Sequence, residues 1–231
     1  MKFSDFKKLV AISREEICRE IFRENRARIK VKKEKVAVKN LVKIFDATLS
    51  ISNRKGFHAM SLRDLSGETG LSMGALYSYF GSKDELLDII QSQGRRLASR
   101  VLSEQLAGIT GARERLRRAL YSHLYLSEAL HPWFYFSYME TKNLNREQQR
   151  NAIENELYTE SMFSDILAEG RASGVFDVKD TLLAAAAIKA LLQDWYLKRW
   201  KYSGRKTSIE EYAGFIIDFI EAFVLRAPAR V

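Results

Sequence analysis

Residues 61–87 read SLRDLSGETGLSMGALYSYFGSKDELL, with serines where helices would begin and glycines where they would end. Ser61 caps a first short helix whose apolar edge is Leu62 and Leu65. Gly70 stands where a chain leaving a helix commonly needs a left-handed residue. Ser72 caps a second short helix with Leu76 facing inward, which leaves Met73, Ala75, Tyr77 and Tyr79 to point elsewhere until Gly81 breaks it. Ser82 with Glu85 is a capping box, opening a longer helix through Leu86, Leu87, Ile89 and Ile90. The chemistry on offer is non-covalent. The helix starts at Ser61 and Ser82 present N–H groups that suit phosphate oxygens, and the second helix of such a tightly turned pair is the kind that enters a major groove.

Elsewhere the chain offers no reactive constellation. His58, His123 and His131 are its only histidines, and none is paired at the i, i+4 spacing of a helical metal site. There is no phosphate-binding glycine loop and no nucleophile elbow, and Cys18 has no nearby histidine, so it reads as a plain cysteine. No catalytic residue, metal or cofactor is expected. A lone cysteine excludes an internal disulfide and fits a reducing cytoplasm. No signal peptide and no run of 18 apolar residues is visible, so no membrane association is expected.

At 231 residues and 46% apolar, the chain can bury one substantial core or two modest ones. Only Pro132 and Pro228 interrupt it, and no segment alternates in the manner of a strand, so the expected class is all-α. Of the net charge of +9, residues 1–40 hold +7. That excess beside the paired short helices suits a polyanion.

The elements that would position the pair follow from helical periodicity. Phe3, Phe6, Leu9 and Val10 mark a first amphipathic helix. Ser13 with Glu16 opens another, which carries Ile17, Ile21 and Phe22 among arginines. A helix over 34–53 turns Val38, Leu41, Val42, Phe45, Leu49 and Ile51 inward and ends at Gly56. The helix from Ser82 runs to about Gln105. Helices over 112–130, from Pro132 onward, over 146–169, over 180–200 and from Ser208 complete the chain, and Pro228 closes it. Ala184, Ala185, Ala186 and Ala187 permit close helix approach, and Phe215, Phe219 and Phe223 recur along the last helix.

The run from Ile44 through the 61–87 segment resembles the DNA-binding domain of the TetR family of bacterial transcriptional regulators. Gly56-Phe57, the Leu-Ser-x-Gly-x-Leu-Tyr-x-Tyr-Phe segment and the following Ser-Lys-Asp-Glu-Leu carry the likeness. The resemblance spans roughly residues 36–226, with its strongest motifs in 44–87. Ser52, Ser66 and Thr69 depart from the family pattern. The resemblance implies a helix-turn-helix domain over 36–82 and a ligand-binding and dimerisation domain over 83–231; it says nothing of residues 1–35, which charge and periodicity mark as a basic helical arm. It also implies a double-stranded DNA operator, a small-molecule effector and a homodimer that represses transcription until the effector releases it.

By resemblance the DNA-binding residues are Ser61, Arg63, Ser72, Met73, Ala75, Tyr77, Tyr79 and Lys83. Of these, Met73 and Ala75 would meet base edges, Tyr77 and Lys83 would meet phosphates, and Arg63 would reach a base. Tyr121, Tyr125, Trp133, Phe136, Phe163 and Trp195 either line a pocket for an apolar ligand or are packed core; the family's habit of binding an effector in its second domain favours the pocket. Lys189, Lys198 and Arg199 offer charge to an anionic head group. The alternative from another class is a helical carrier or enzyme with a vestigial helix-turn-helix, for which the chain supplies no acid-base or metal constellation.

Overall fold

The computed structural model describes residues 1–10 and 13–225, and over these the chain forms helices α1 to α12 with no named strand. They are α1 (Phe3–Val10), α2 (Arg14–Glu24), α3 (Glu34–Lys55), α4 (Leu62–Thr69), α5 (Met73–Leu76), α6 (Lys83–Leu106), α7 (Ala112–Ala129), α8 (His131–Glu140), α9 (Arg146–Ala172), α10 (Thr181–Leu197), α11 (Arg199–Gly204) and α12 (Ile209–Val224). The all-α expectation is met. Pro228 lies outside the described residues. Among the described residues no helix is long and apolar enough to cross a membrane.

The helices sort into two compact units that do not follow the boundaries expected from sequence. One comprises Ala11–Leu97 with Pro132–Gln149, so it holds α2 to α5, most of α6, and α8. The other comprises Met1–Val10, Ala98–His131 and Arg150–Val231. The basic arm is thereby divided: α1 belongs with the C-terminal helices and α2 with the helix-turn-helix.

In the first unit α2 lies against α3 and buries Cys18, Ile21 and Phe22. Burial, reinforced by the nearby Asp46 carboxylate, pushes the Cys18 thiol up to about 12, so it stays protonated. The inward seam of α3 is Val38, Leu41, Ile44, Thr48, Ile51 and Ser52; Val42, Phe45 and Leu49, expected inside, are half-buried. The seam is displaced because α2 and α4 both pack on this helix. Two buried hydroxyls are satisfied locally: Thr48 Oγ1 donates to the Ile44 carbonyl and Thr69 Oγ1 to that of Leu65, each at 2.7 Å.

Helix α8 is anchored at both ends in this unit. Trp133 lies so close over Gly94 that a Cβ there would stand 1.9 Å from the indole, and its Nε1 donates to the Ile90 carbonyl at 3.1 Å. Phe136 meets Phe57 edge to face with centroids 6.0 Å apart, and the buried Glu140 accepts from the Phe57 N–H at 2.9 Å.

In the second unit Phe3 and Phe6 of α1 pack on Tyr125, with centroids at 5.4 and 5.7 Å, and the Tyr125 hydroxyl donates to the Met1 carbonyl. Leu9, expected on the apolar face of that helix, is 61% exposed. The helix expected over 180–200 is broken at Lys198 into α10 and α11. Asp194 holds that corner by accepting from Lys198, Lys201 and Tyr202. Burial alone would raise its pKa, but these three donors outweigh it and hold the carboxyl at about 2. Ser208 and Glu211 make the expected reciprocal capping box on α12.

Two glycines in the first unit should respond oppositely to an added methyl. Gly94→Ala forces Trp133 from its seat and should cost about 1–3 kcal/mol. Gly67 sits mid-helix in α4 with open space where a Cβ would be, so Gly67→Ala should gain about 0.4–1 kcal/mol. Urea unfolding midpoints measure both, and shifts of the same sign would contradict the packing described.

Candidate nucleic-acid interface and effector domain

The reading unit is built from short-range capping. Ser61 and Asp64 form a reciprocal box at the start of α4, and Lys55 pairs with Asp64 at 2.8 Å. Hydrogen bonds from Lys55 and then Ser61 hold the Asp64 carboxyl well below the usual carboxylate range. The Ser61 N–H, expected to be open to phosphate, is therefore taken by Asp64 at 2.7 Å. Gly70, at φ 69°, ends α4 in the left-handed conformation. Ser66 Oγ donates to the Leu71 carbonyl and Thr69 Oγ1 accepts from the Leu71 N–H, which ties the turn from both sides. Ser72 then caps α5 through the Ala75 N–H.

Helix α5 is only four residues long, and Leu76 is fully buried beneath it. On its other side Ser72, Gly74 and Tyr77 are exposed and Met73 and Ala75 half-exposed, with Arg63 and Ser61 exposed on α4. Gly74, the glycine of the Leu-Ser-x-Gly-x-Leu segment, has nothing within 4 Å of a Cβ position. It lets another surface approach the backbone of α5 closely. The arm reaches this helix too: the Lys30 N–H donates to the Ser78 carbonyl at 2.9 Å, Ile29 is buried, and Lys30, Lys32 and Lys33 stay exposed.

Two of the residues expected to contact DNA are placed otherwise. Tyr79 is 2% exposed, and its hydroxyl accepts from Asn40 Nδ2 at 2.8 Å, so it holds the end of the reading helix to α3. Lys83 uses its ammonium on three main-chain carbonyls, those of Phe57 at 2.9 Å, His58 at 3.1 Å and Met60 at 2.6 Å. An ammonium has three donors, so Lys83 is a latch for the α3–α4 loop. Burial draws its pKa down. At Ser82 the expected box is shifted by one residue: Ser82 Oγ accepts from the Glu85 N–H, but Glu85 reaches back to the N–H of Gly81.

The six residues expected to line a ligand pocket are divided between the two units. Trp133 and Phe136 belong to the first unit, engaged with Gly94 and Phe57. In the second unit Tyr121 meets Tyr125 at 5.5 Å, and Tyr125 is covered by α1. Phe163, fully buried, lies 6.4 Å from the His123 ring. Trp195 is core: it stacks on Tyr202 at 5.1 Å and meets Tyr212 in a tilted contact at 5.0 Å, and its Nε1 donates to Glu128. Of the three cations offered to an anionic head group, Lys198 pairs with Asp194 and Arg199 with Glu128, while Lys189 alone is buried. A depression of about 430 Å³ at the start of α7 is lined by Gly111, Ala112, Arg113, Glu114, Arg117 and Val175 and includes none of the six. No group of three or more potential metal ligands occurs among the described residues.

The latch predicts a stability effect. Lys83→Ala removes the ammonium from three carbonyls, of which that of Phe57 keeps the Met60 N–H, and should lower unfolding stability by about 1–3 kcal/mol, toward the lower end because the site is partly solvated. Tyr79→Phe should cost about 1 kcal/mol by the same reasoning. Chemical denaturation reads both, and a Lys83→Ala protein as stable as its parent would return the ammonium to the pool of phosphate contacts.

Comparison with known proteins agrees with this geometry. Residues 44–90 match the family described as bacterial regulatory proteins, tetR family, and residues 110–224 match the tetracyclin repressor-like C-terminal domain. The transcriptional repressor KstR of Mycolicibacterium smegmatis is 30% identical over 148 residues, 62% of this chain and 61% of that protein. The TetR-family regulator PfmR of Thermus thermophilus superposes with a TM-score of 0.71 at 29% identity, covering 80% of this chain and all of that one. AibR, solved with isovaleryl coenzyme A and operator DNA, has a TM-score of 0.69 at 17% identity over 80% of this chain and 97% of its own. The chain belongs to the TetR family, and it is a helix-turn-helix transcriptional regulator rather than an enzyme.

Proposed function

We propose that the protein is a homodimeric repressor that grips a near-palindromic operator through α4 and α5 and lets go when a small apolar or amphipathic effector enters its C-terminal helices. The observation that carries the DNA half is the outward surface of Arg63, Ser72, Met73, Ala75 and Tyr77, presented on a helix pair whose inner side is fully engaged. Arg63 reads a base, since a guanidinium can take guanine bidentately. Tyr77 and the exposed Lys30, Lys32 and Lys33 meet phosphates and set position. A two-fold dimer places its reading helices about 34–36 Å apart, one turn of duplex or a multiple.

The dimer half rests on α10 and α12. Phe215, Phe219 and Phe223 are 66, 55 and 63% exposed along one side of α12, while Tyr212, Ile216, Ile220 and Val224 fill the other side. Leu182 and Leu183 of α10 are exposed as well, and Ala187 lies on the outer side of that helix, whereas Ala184 and Ala185 face their own core. So much apolar surface on one unit suits a second copy. The effector half is supported by the fold neighbour AibR, whose structure includes an acyl-coenzyme A and operator DNA. An effector acts by binding the non-operator conformer more tightly, and by no more than that difference.

Selection of duplexes from a random pool followed by gel shift tests the DNA reading. Arg63→Ala should relax preference at one base pair, at about 1–3 kcal/mol of discrimination. Tyr77→Phe should weaken all duplexes alike. Changing Lys30, Lys32 and Lys33 to Gln should flatten log K against log salt by about 0.9 for every phosphate that is no longer neutralised. A uniform loss for Arg63→Ala, or an unchanged salt slope for the lysine triple, would remove those residues from their roles.

Phe219→Glu tests the interface. Its side chain is exposed in the single chain, so the variant should fold, yet at a two-fold contact it buries an unpaired carboxylate at a cost of several kcal/mol, roughly 3–5. Sedimentation at micromolar concentration should find a folded monomer; a persistent dimer would exclude this side of α12.

A further inference from the structure

Lys189 of α10 is 4% exposed inside the second unit. Its ammonium donates to Thr159 Oγ1 at 2.8 Å and pairs with Glu156 Oε2 at 3.3 Å, both on α9. Glu156 keeps 46% of its side chain in solvent and accepts from Gln193 Nε2 at 2.7 Å, so the carboxylate approaches from the edge of the helices and the lysine from within. A cation drawn out of water this far carries a desolvation penalty that the half-solvated Glu156 carboxylate, with a smaller contribution from Glu160, offsets only in part, and an apolar side chain of the same length would pack there without it. The surroundings are otherwise fit for hydrocarbon: Phe163, Ile188 and Leu192 are buried on the same two helices. Burial, and then the Lys189 ammonium, hold the His123 imidazole of α7 well below its usual range, so it adds no competing charge.

We infer that Lys189 receives the acidic end of the effector, a monocarboxylic acid with an aliphatic or aromatic body, whose carboxylate takes the place of Glu156 on the ammonium while its body lies against Phe163. This rests on the effector reading above and gives it a chemical class. One buried cation neutralises one charge. A second carboxylate or a phosphate taken into the same apolar surroundings would be left unpaired. A thioester or ester carries no charge for the ammonium to neutralise, so the free acid is the form this site selects. Glu156 is the internal stand-in that satisfies the lysine until the acid arrives.

The test uses the full-length protein with hexanoate, decanoate, benzoate and phenylacetate as probes, beside their methyl esters and decanoyl-coenzyme A. Melting temperature and release of the selected operator duplex are the two readouts. At least one of the acids should raise the melting temperature and release the duplex, and its methyl ester should do neither. Lys189→Met should bind the operator but lose both responses. Glu156→Gln should tighten binding of the acid, by up to about tenfold, because the competing carboxylate is gone. A purely structural ion pair would make both variants less stable and leave binding of the acid unmoved. The site is overturned if none of the acids acts, if Lys189→Met keeps the response, or if Glu156→Gln weakens it. Release by the esters or by decanoyl-coenzyme A alone would overturn the site and leave the effector reading standing. The melting readout decides the Lys189 site even where no duplex is bound.

Discussion

Helix α5 is too short to hold its own direction, since one turn of helix fixes several dihedrals for very few hydrogen bonds, and its orientation is therefore set by what lies beneath it. Leu76, Tyr79 and Phe80 are buried under it or just past its end. The Tyr79 hydroxyl is tied to Asn40 on α3, and the Ser78 carbonyl to the arm at Lys30. Groove reading needs side chains placed to within a fraction of an ångström, and four residues inherit that placement from α3, α4 and the arm. Many polar residues of the motif are accordingly engaged in holding the helix, which leaves the outer side to Arg63, Met73, Ala75 and Tyr77.

The parts legible in the sequence were those decided locally. The caps at Ser61, Ser72 and Ser208 and the left-handed Gly70 depend on residues a few positions apart, and they stand where the pattern placed them. Tyr79 and Lys83 misled for the opposite reason: their partners, Asn40 and the carbonyls of the 57–60 loop, lie far along the chain. The box at Ser82 slipped by one residue because Glu85 is long enough to serve either Gly81 or Ser82. The aromatic residues of the C-terminal half were ambiguous on physical grounds, since a ligand pocket and a packed core demand the same side chains. Trp195 with Tyr202 and Tyr212 turned out to be core. Lys189 reads in sequence only as one of three nearby cations; nothing in its neighbourhood along the chain distinguishes a buried lysine from Lys198, whose partner Asp194 lies at a helical corner.

The last helix shows how one element serves two environments. Tyr212, Ile216, Ile220 and Val224 answer to the interior of their own unit, and Phe215, Phe219 and Phe223 to whatever lies outside it. A single amphipathic stripe would have left the second row polar. Glu221, held between Arg113 and Arg117 on α7, keeps a buried carboxylate among the inward set; the Arg113 hydrogen bond foremost holds it below the usual carboxylate range. That pair fixes the register of α12 on α7 by charge where the rest of the contact is fixed by shape.

Helix α8 lies within the stretch matched as a C-terminal domain, yet Trp133, Phe136 and Glu140 are built into the unit that holds the helix-turn-helix. The reading head is therefore not a contiguous piece of chain. A fragment ending at residue 97 would leave the groove over Gly94 empty and the Phe57 N–H without its carboxylate. A chimera that grafts residues 1–97 onto another regulator would carry the same defect unless the new host supplied an equivalent of α8. Modular exchange in this protein has to be planned on two segments at once, so recombination at the helix-turn-helix boundary separates parts that fold as one.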